Sequence, residues 1–593
     1  MSAQFIVGID LGTTNSVVAY TPLDAESPDI SLLPIPQLVG PGTIESRENL
    51  PSFLYLAGNV DASFELPWAK KRDFVVGEWA RRQSAESPDR TVSGAKSWLA
   101  HSRVDRHQPI LPWNAPEEVS KISPVQASRR YLEHLIAAWA QQFPKAPLSR
   151  QHVVLTVPAS FDASARELTR EAALAAGLPE NFLLLEEPQA AIYAWLAQAG
   201  ERWRKLVHVG ETLLVVDVGG GTTDLTLVTV AEEEGELQLR RIAVGNHLLV
   251  GGDNMDLALA HLAATRFAEK GTQLDPWQSV SLWHACRAAK ESLLSPDGPE
   301  KHPVAVLGRG RKLIGGTVTV ELDKTSTQDF LLSGFLPECE LDADVRKQRA
   351  SGFQQIGLPF EVETGITRHI AEFLRQQATD GHPVHPTEIL LNGGVFKSPA
   401  IGERLLSVMQ HWFPGSPPQP LAGERDLDHA VARGAAYYGW AKEHGGVRIR
   451  GGTARSYYVG IETSGLAIPG VPRPLNALCV VPHGMEEGTA IDVNSAEFGL
   501  IVGEPAHFRF FSSATRKDDQ PGHLLRQWNA DELTETDSLE ATLPADETLA
   551  GSDVPVHFRS VITELGMFEL WCVSTGSDHR WKLEFSVRDP EDS

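Results

Sequence analysis

Cysteine and long apolar runs are both scarce in this sequence. Its four cysteines, Cys286, Cys339, Cys479 and Cys572, are too far apart to form the CxxC pairs of zinc ribbons or redox motifs. Such low cysteine usage is typical of reduced, intracellular proteins. No segment approaches the roughly 18 apolar residues of a membrane span, and the N-terminus lacks the basic and apolar parts of a secretory signal. We therefore expect a cytoplasmic protein without a membrane partner.

Positive charge is also in short supply. The 53 lysines and arginines are outnumbered by 77 aspartates and glutamates, which gives a formal net charge of −24 at pH 7. Non-specific nucleic-acid binding depends on a basic surface that neutralises phosphates, so no nucleic-acid partner is expected. With 593 residues, of which 42% are hydrophobic, the chain is long enough for roughly three or four domain-sized units.

Two similar glycine- and threonine-rich segments are the most informative feature. They are FIVGIDLGTTNSVVAY, from Phe5 to Tyr20, and LLVVDVGGGTTDLTLV, from Leu213 to Val228. In each, an apolar strand reaches an aspartate (Asp10 or Asp217), and glycine and two threonines lead into a second apolar strand. Glycine lets backbone N–H groups approach a phosphate, threonine adds hydroxyl donors, and aspartate can hold a hydrated divalent cation. Two such hairpins predict two related lobes that clamp one polyphosphate.

Strands alternate with long helices around these hairpins. The segment from Lys121 to Phe143 predicts an amphipathic helix with Ser123 as N-cap and Pro124 at its first position. A buried strand from His152 to Phe161 is followed by a helix that Asp162 or Ser164 can cap and Gly177 ends. This alternation predicts two α/β lobes with mixed sheets.

The composition of the sequence changes at about Gly445, where the short segment GGVRIRGGTARS is basic and rich in glycine. Near the end, RWKLEFSVR alternates apolar Trp581, Leu583, Phe585 and Val587 with polar residues, which predicts a half-buried antiparallel sheet. The predicted organisation is a nucleotide-binding domain at 1–441 with lobes at 1–205 and 206–441, a linker at 442–456 and a β-rich domain at 457–593.

Several motifs together resemble one protein family. GIDLGTTNS and DVGGGTTD resemble the phosphate hairpins of the 70-kilodalton heat-shock chaperones, the DnaK-like branch of the actin and hexokinase ATPase superfamily. LTVPASFDASAR, LLLEEPQAAIYAW, GGDNMD, LLNGGVFKSPAI and DHAVARGAAYYGWA match further family motifs in the correct order, over roughly residues 5 to 441. The resemblance implies an α/β, two-lobed actin-like (ribonuclease H-like) ATPase domain, followed by a smaller antiparallel all-β domain, in a divergent bacterial-type member.

The resemblance also implies the site residues. The carboxylates around Mg²⁺ and its waters are Asp10, Asp217 and Asp224. The catalytic set is Lys96, which orients the attacking water, together with Glu187, Asp217 and Thr222. The nucleotide-binding residues are Asp10, Gly12, Thr13, Thr14, Asn15, Gly219, Gly220, Gly221, Thr222, Thr223, Gly251, Gly252, Asp253, Lys290, Gly393, Gly394, Lys397 and Asp428. The implied cofactors are ATP or ADP and Mg²⁺, with K⁺ as a further candidate.

The adenine side departs from the family pattern. The segment from Ala285 to Ser295 keeps Lys290, but it offers Arg287 and Leu294 where the family has polar adenine contacts. Lys397 replaces the usual arginine that packs on the base. Because one neutral hydrogen bond is worth roughly 0.5 to 1.5 kcal/mol and a charged phosphate contact roughly 1.5 to 3, we expect weaker adenine selectivity with nucleotide binding preserved.

The connection between the domains departs as well. Pro158 and Arg166 match the family's relay between nucleotide and peptide sites, but VRIRGGTARSYYVGIE replaces its short leucine-rich linker ending in aspartate. GIET nevertheless resembles the start of the family's substrate domain. No segment after Val587 corresponds to the helical lid, so a bound peptide is expected to leave faster, because affinity differences among related complexes lie mostly in the off-rate.

The favoured function is that of a divergent chaperone in which slow ATP hydrolysis alters the affinity of the β domain for an unfolded or specific client protein, with a co-chaperone or exchange factor as a further candidate partner. One alternative is a specialised assembly or scaffold factor with a dedicated partner. Another is a small-molecule kinase of the same superfamily, although the sequence offers no additional motif for a substrate-side catalytic aspartate. Filament formation is a third, which the extra β domain gives no reason to prefer.

Overall fold

The first glycine-rich hairpin forms the middle of a six-stranded mixed sheet. This computed structural model describes residues 3–58, 64–101, 103–113, 115–233, 235–306, 318–345, 358, 360–378, 381–423, 426–462, 475–493, 498–501, 505–529, 532–536, 538–542, 553–563, 567–577 and 579–585. The first eleven strands are β1 (Phe5–Leu11), β2 (Asn15–Pro22), β3 (Ser31–Leu32), β4 (Ile35–Gly40), β5 (Thr43–Arg47), β6 (Asn49–Pro51), β7 (Leu54–Leu56), β8 (Phe74–Val76), β9 (Thr91–Val92), β10 (His152–Val157) and β11 (Leu183–Glu186). The sheet order is β11-β10-β1-β2-β3, with β6 also on β2. Strand β1 is antiparallel to β2 and parallel to β10.

Five helices belong to this half of the molecule: α1 (Glu78–Glu86), α2 (Ala95–Leu99), α3 (Pro124–Gln142), α4 (Ala163–Ala176) and α5 (Glu187–Ala199). Helix α3 is confirmed, with Pro124 at its first position and the Ser123 hydroxyl accepting a backbone N–H. Its apolar stripe faces the core, where Trp139 is fully buried. Helix α4 is confirmed too: of its two predicted caps, Asp162 is the one used, and Gly177 ends the helix in the left-handed region.

The second hairpin forms the middle of another six-stranded sheet with the same arrangement. The next strands are β12 (Thr212–Val218), β13 (Thr223–Glu233), β14 (Glu236–Val244), β15 (Lys301–Val306), β16 (Val318–Asp323), β17 (Glu388–Asn392), β18 (Gln419–Pro420) and β19 (Ile449–Arg450). The sheet order is β18-β17-β12-β13-β14-β19. Strand β12 is antiparallel to β13 and parallel to β17, as β1 is to β2 and β10. The two halves therefore repeat one topology around their hairpins.

Seven further helices follow in the chain: α6 (Trp203–Leu206), α7 (Gly252–Glu269), α8 (Pro276–Leu293), α9 (Lys324–Phe335), α10 (Ile366–Gln376), α11 (Pro399–Trp412) and α12 (Ala430–His444). Helix α12 lies against α5 and the first sheet, although it belongs to the range predicted for the second lobe. A Cβ on Gly434 would lie 1.7 Å from the carbonyl oxygen of Ala190, so glycine is required at this crossing of α12 and α5. The division at 205/206 stays a prediction, and α12 brings the chain back to the first half.

The segment predicted as a linker is partly a strand. Strand β19 pairs in parallel with Leu239 and Arg240 of β14, which makes it an edge strand of the second sheet. Further along the segment, the carbonyl of Gly452 accepts a hydrogen bond from Arg241. The segment is therefore held on the second sheet by backbone pairing and one arginine.

The C-terminal part consists of antiparallel strands, as the alternating pattern predicts. They are β20 (Ser456–Glu462), β21 (Leu475–Val481), β22 (Thr489–Asp492), β23 (Phe498–Ile501), β24 (Pro505–Phe508), β25 (Phe510–Ser513), β26 (Leu524–Leu525), β27 (Thr534–Glu535), β28 (Leu539–Thr542), β29 (Asp553–Ile562), β30 (Phe568–Ser574) and β31 (Arg580–Phe585). They form sheets β26-β21-β20-β25-β27 and β22-β29-β30-β31-β28-β24, with β23 on β29. Leu583 is buried and Lys582 exposed, while Val587 and the side chain of Phe585 lie outside the described residues.

Two expectations from composition concern the state of the cysteines and the presence of membrane-spanning helices. All four cysteines are free thiols, and only Cys339 is partly accessible. Among the residues given above, none of the helices combines the length and apolar character that crossing a bilayer requires.

Candidate functional site

A cleft of about 800 Å³ is lined by residues of both hairpins. Asp10 and Thr14 come from the first hairpin, and Asp217 and Thr222 from the second. The hairpins touch, because a Cβ on Gly220 would lie 2.1 Å from the Thr14 hydroxyl oxygen. Only glycine permits this approach, so one ligand in the cleft can contact both hairpins at once.

Most of the predicted site residues line this cleft: Asp10, Gly12, Thr13, Thr14, Asn15, Lys96, Glu187, Asp217, Gly219, Gly220, Thr222, Asp224, Gly252, Asp253, Lys290, Gly393, Gly394, Lys397 and Asp428. Three predicted residues do not: Gly221, Thr223 and Gly251. The Thr223 hydroxyl donates to the carbonyl of Val250 at 2.7 Å, and a Cβ on Gly221 would lie 2.4 Å from the Ser97 hydroxyl. A Cβ on Gly251 would meet the backbone of the second hairpin at 2.7 Å. These three residues pack the turn rather than face the ligand space.

Asp217 is buried and Asp10 is partly buried, and this environment disfavours the charged form of both aspartates. Thr156 donates to Asp10 at 3.3 Å, and the side-chain amide of Asn392 donates to Asp217 at 2.9 Å. Burial raises the pKa of Asp217 to about 7, although the Asn392 bond opposes the shift; the nearby Asp224 and Asp10 raise it further. Burial also raises the pKa of Asp10. A cation in the cleft would relieve this unfavourable charge.

Asp224 connects the two halves of the molecule. Its carboxylate accepts the backbone N–H of Ser160 at 3.1 Å and the hydroxyl of Thr222 at 3.2 Å. Ser160 follows β10 in the first half and also contacts the ring of His247 at 2.7 Å. The aspartate is therefore oriented by both halves before any ligand binds.

Sequence reasoning missed Thr156, Ser160 and Asn392. Each stands inside a motif already quoted, LTVPAS or LLNGG, but a lone threonine, serine or asparagine carries no distinguishing spacing. The parallel pairing of β10 with β1 and of β17 with β12 brings Thr156 and Asn392 beside the aspartates, and Ser160 meets Asp224 where the two halves contact each other.

The carboxylates fit a hydrated divalent cation better than a fully protein-bound one. Among the described residues, no group of three or more histidines, cysteines, aspartates or glutamates is close enough to hold a metal directly. Mg²⁺ keeps several waters and accepts one or two carboxylates, so Asp10, Asp217 and Asp224 would hold it mainly through water.

Lys96 is a buried lysine rather than a solvated one. Helix α2 places it in the cleft, where it is 7% exposed and forms an ion pair with Glu187 at the start of α5. Burial would lower the pKa of Lys96, but attraction to Glu187 and Asp10 outweighs it and leaves the pKa raised. Burial also raises the pKa of Glu187 despite Lys96, because Asp10 and Asp217 lie nearby. A charged donor is thus fixed beside the aspartates.

A second charged cluster lies on the side of the cleft formed by α7 and α8. Arg287 donates to Asp253 at 2.6 Å and to Asp256 at 2.9 Å. Lys290 lies 2.6 Å from Asp256 and donates to the carbonyl of Gly252 at 2.7 Å. Arg287 and Asp256 line the cleft, although the sequence assigned them no binding role. Two cations and two carboxylates therefore neutralise one another on this wall.

Two ion pairs lie towards the open side of the cleft. Lys397 lies 2.5 Å from Asp428, and both side chains are partly exposed. Arg81 of α1 forms an ion pair with Glu291 of α8, which joins the two halves directly. Solvent screens such pairs, so each contributes little to stability.

The predicted relay residues are not cleft-lining residues. Pro158 is buried after β10, while Arg166 of α4 donates to Glu186 at 2.9 Å and lines a different cavity. Their role in communication stays a prediction.

These observations define a class of protein. It is a mixed α/β protein in which two similar halves meet at a cleft of about 800 Å³ that holds buried carboxylates and the buried Lys96. The family model described as Hsp70 protein matches residues 66–302. This part of the chain is similar to Hsp70 proteins, and the similarity implies an actin-like ATPase domain.

Curated relatives agree with this assignment. The chain is 30% identical over 271 residues to the chaperone protein DnaK of Thermotoga petrophila, covering 45% of this chain and 37% of the relative. It is 28% identical over 313 residues to DnaK of Stenotrophomonas maltophilia, covering 50% and 44%. It is 32% identical over 271 residues to the chaperone protein HscA of Xenorhabdus nematophila, covering 44% and 37%. The aligned part thus spans less than half of each relative.

Proposed function

We propose that this protein is an ATP-hydrolysing, cytoplasmic chaperone in which the nucleotide state modulates protein binding by the C-terminal β part. In this proposal, residues 1–441 form the nucleotide-binding domain, 442–456 the linker and 457–593 the domain that binds clients or a partner. Unfolded or specific proteins are the clients, and a co-chaperone or exchange factor completes the cycle.

The observation that carries the proposal is the Lys96–Glu187 ion pair in a cleft shared by both hairpins. Phosphoryl transfer to water depends on positioning and charge stabilisation rather than on a strong nucleophile. Lys96 balances the negative charge that develops on the terminal phosphate, and Glu187 fixes the position of Lys96. Thr222 and the backbone of the hairpins position the phosphates.

The cofactor in this proposal is ATP with Mg²⁺. The cation, when bound, neutralises phosphate charge, and the raised pKa of Asp217 and of Asp10 favours such an occupant. The wall formed by Arg287, Lys290 and Asp253 lies beside Gly252, and its charges are paired with one another.

Coupling to the β part is supported by polar contacts rather than by an apolar linker anchor. Arg455 donates to the carbonyl of Gly245 at 3.1 Å, and Lys517 donates to the carbonyl of Ile242 at 3.0 Å. Both carbonyls lie at or just beyond the end of β14, next to the sheet that carries the second hairpin. A change at that hairpin therefore has a short path to the β part.

The direct test is calorimetric titration of the full chain with Mg-ATP, followed by phosphate release with and without an unfolded protein. We expect one nucleotide site, slow release without any added small-molecule acceptor, and a change in rate with the unfolded protein. No nucleotide uptake would overturn the proposal. A rate that ignores the unfolded protein would leave the ATPase and remove the coupling.

The basic linker favours a second candidate, a specialised assembly factor with one dedicated partner. This chain has GGVRIRGGTARS where the family has a short leucine-rich linker. The altered segment favours one dedicated partner over the broad client handling of the family. A pull-down from cell extract separates the two candidates: one stoichiometric partner favours the assembly factor, and many unfolded proteins favour the general chaperone.

A further inference from the structure

A second cavity of about 780 Å³ lies where the ATPase half, the 448–455 segment and the β part meet. Six cationic side chains and three carboxylates line it, although the whole chain carries a net charge of −24. The cavity is thus a positive region in an acidic protein, and no ligand has been assigned to it above.

One carboxylate serves two arginines at the base of this cavity. Glu186 accepts from Arg166 at 2.9 Å and forms an ion pair with Arg241. Burial would raise the pKa of Glu186, but these two guanidinium groups outweigh it and hold the pKa below its usual range. The guanidinium groups of Arg166 and Arg241 therefore share the single negative charge of Glu186.

Arg455 adds a third guanidinium without a close counter-ion. It is 7% exposed and donates to the Ser512 hydroxyl at 3.3 Å and to the Gly245 carbonyl at 3.1 Å, both neutral. Among the described residues no carboxylate pairs with it, and its Nε has no hydrogen-bond partner. Asp162 attracts it from further away while capping α4. Burying a charge without a counter-ion is unfavourable, and an incoming anion would offset that cost.

Apolar and aromatic groups form the wall opposite these charges. Tyr457 stacks on Phe568 with ring centroids 5.5 Å apart, and Met567 and Ile562 continue the wall. A cavity of several hundred Å³ with apolar walls and a few polar anchors is typical of small-molecule sites.

We propose that this cavity binds a small organic anion, a carboxylate or phosphate ester with an apolar body, whose charge is received by Arg455 and whose body packs against Tyr457 and Phe568. Because the walls come from the ATPase half, the 448–455 segment and the β part, the bound anion holds the three together. The site is separate from the nucleotide cleft.

The test is calorimetric titration of the full chain with phthalate and with phenyl phosphate, each with and without saturating Mg-ADP. We expect each dianion to bind even when Mg-ADP fills the nucleotide cleft, because the two sites are separate, and we expect neutral benzamide not to bind. The stronger dianion identifies the carboxylate or the phosphate as the better match. Arg455→Gln should weaken binding at least about tenfold, the effect of losing one charged contact.

Arg450→Gln is the matched control, because Arg450 lines the same cavity but is paired with Glu233 at 2.9 Å. It should change binding less than about twofold, as expected for a solvent-exposed, paired charge. If Arg455→Gln does not fold, a crystal of the natural chain soaked in phthalate locates the anion directly, and contact with Arg455 supports the proposal. Loss of binding with Mg-ADP, equal binding of benzamide, no binding at all, or an anion located elsewhere would overturn it.

Discussion

Two neighbouring glutamates at the start of α5 face opposite electrostatic environments. Glu187 points into the nucleotide cleft, where burial and two aspartates raise its pKa, and Glu186 points into the second cavity, where Arg241 and Arg166 lower its pKa against burial. One backbone position thus separates a carboxylate whose charge is disfavoured from one whose charge is required.

The two cavities differ in the same sense. They have nearly equal volumes, about 800 and 780 Å³, but the first gathers buried carboxylates around the buried Lys96, whereas six cationic side chains and three carboxylates line the second. Size alone would not separate their ligands. The charge that each cavity leaves uncompensated distinguishes them: the buried carboxylates of the first favour a cation, and Arg455 in the second favours an anion.

The largest expected effect comes from removing the lysine of the cleft. Lys96→Ala should lower ATP hydrolysis by about 10² to 10³-fold, the scale for one preorganised charged donor, while nucleotide binding is retained. Single-turnover phosphate release and calorimetry measure the two quantities. Lys205→Ala, at an exposed lysine of α6, is the control and should have no effect. Full hydrolysis by Lys96→Ala would remove this residue from the mechanism.

Exchanging each glutamate separately sharpens the comparison. Glu186→Gln leaves Arg166 and Arg241 without their shared carboxylate and should lower the free energy of unfolding by about 3 kcal/mol at pH 7. Because the folded-state pKa of Glu186 is lowered, its contribution is present above the unfolded pKa and is lost as the pH falls, so the difference should shrink towards pH 4.

Glu187→Gln should instead change the free energy of unfolding by less than about 1 kcal/mol, because burial already disfavours this charge and Asp10 remains beside Lys96 as a compensating carboxylate. It should reduce hydrolysis, since Lys96 loses its partner. Urea denaturation of both variants measures the contrast. Equal stability losses would show that the two environments do not differ as described.

The aspartate of the second hairpin offers a smaller test. The folded-state pKa of Asp217 is raised to about 7, so its contribution to stability is present below its unfolded pKa and is lost as the pH rises through 7. Without metal or nucleotide, the natural chain should lose about 2 to 3 kcal/mol between pH 5 and pH 8 through this group. Asp217→Asn should remove that loss.

Thermal unfolding in EDTA measures this pH dependence. Asp29→Asn, at an exposed aspartate, is the control and should follow the natural chain. Mg-ATP should stabilise the natural chain at pH 8 but not Asp217→Asn. An unchanged pH profile in Asp217→Asn would contradict the raised pKa.

The smallest expected effect concerns recognition of the adenine base of the nucleotide. Lys397 is paired with Asp428 and half exposed, so Lys397→Ala should change affinity for ATP and GTP by less than about threefold. The natural chain should prefer ATP over GTP by less than about tenfold, because Arg287 and Leu294 stand where the family has polar adenine contacts. Competition binding with the two nucleotides measures the ratio. A preference of a thousandfold would mean that adenine has contacts not identified above.

Local sequence signals predicted the elements that carry the cleft. Alternation between apolar strands and glycine turns located both hairpins, and Ser123, Pro124, Asp162 and Gly177 marked helix ends, because capping depends on residues close in sequence. The resemblance implied a nucleotide-binding role for Thr223; its hydroxyl donates to the carbonyl of Val250, and the role stays a prediction.

Long-range pairings lay beyond such signals. Asn392 contacts Asp217 across 175 positions, and Arg241 contacts Glu186 across 55. A single glutamate before a helix does not reveal whether arginines or aspartates surround it. The second cavity therefore follows only from the packing of the 448–455 segment and the β part on the α/β halves.

The short strand β19 has a further consequence for the sheet on which it lies. Its two residues occupy the hydrogen-bonding edge of β14 that would otherwise be open. An uncovered edge is a template for another extended chain, including a second copy of the same protein. If β19 is released, the backbone N–H and C=O groups of β14 that it pairs become available to another strand. Self-association should therefore accompany its release.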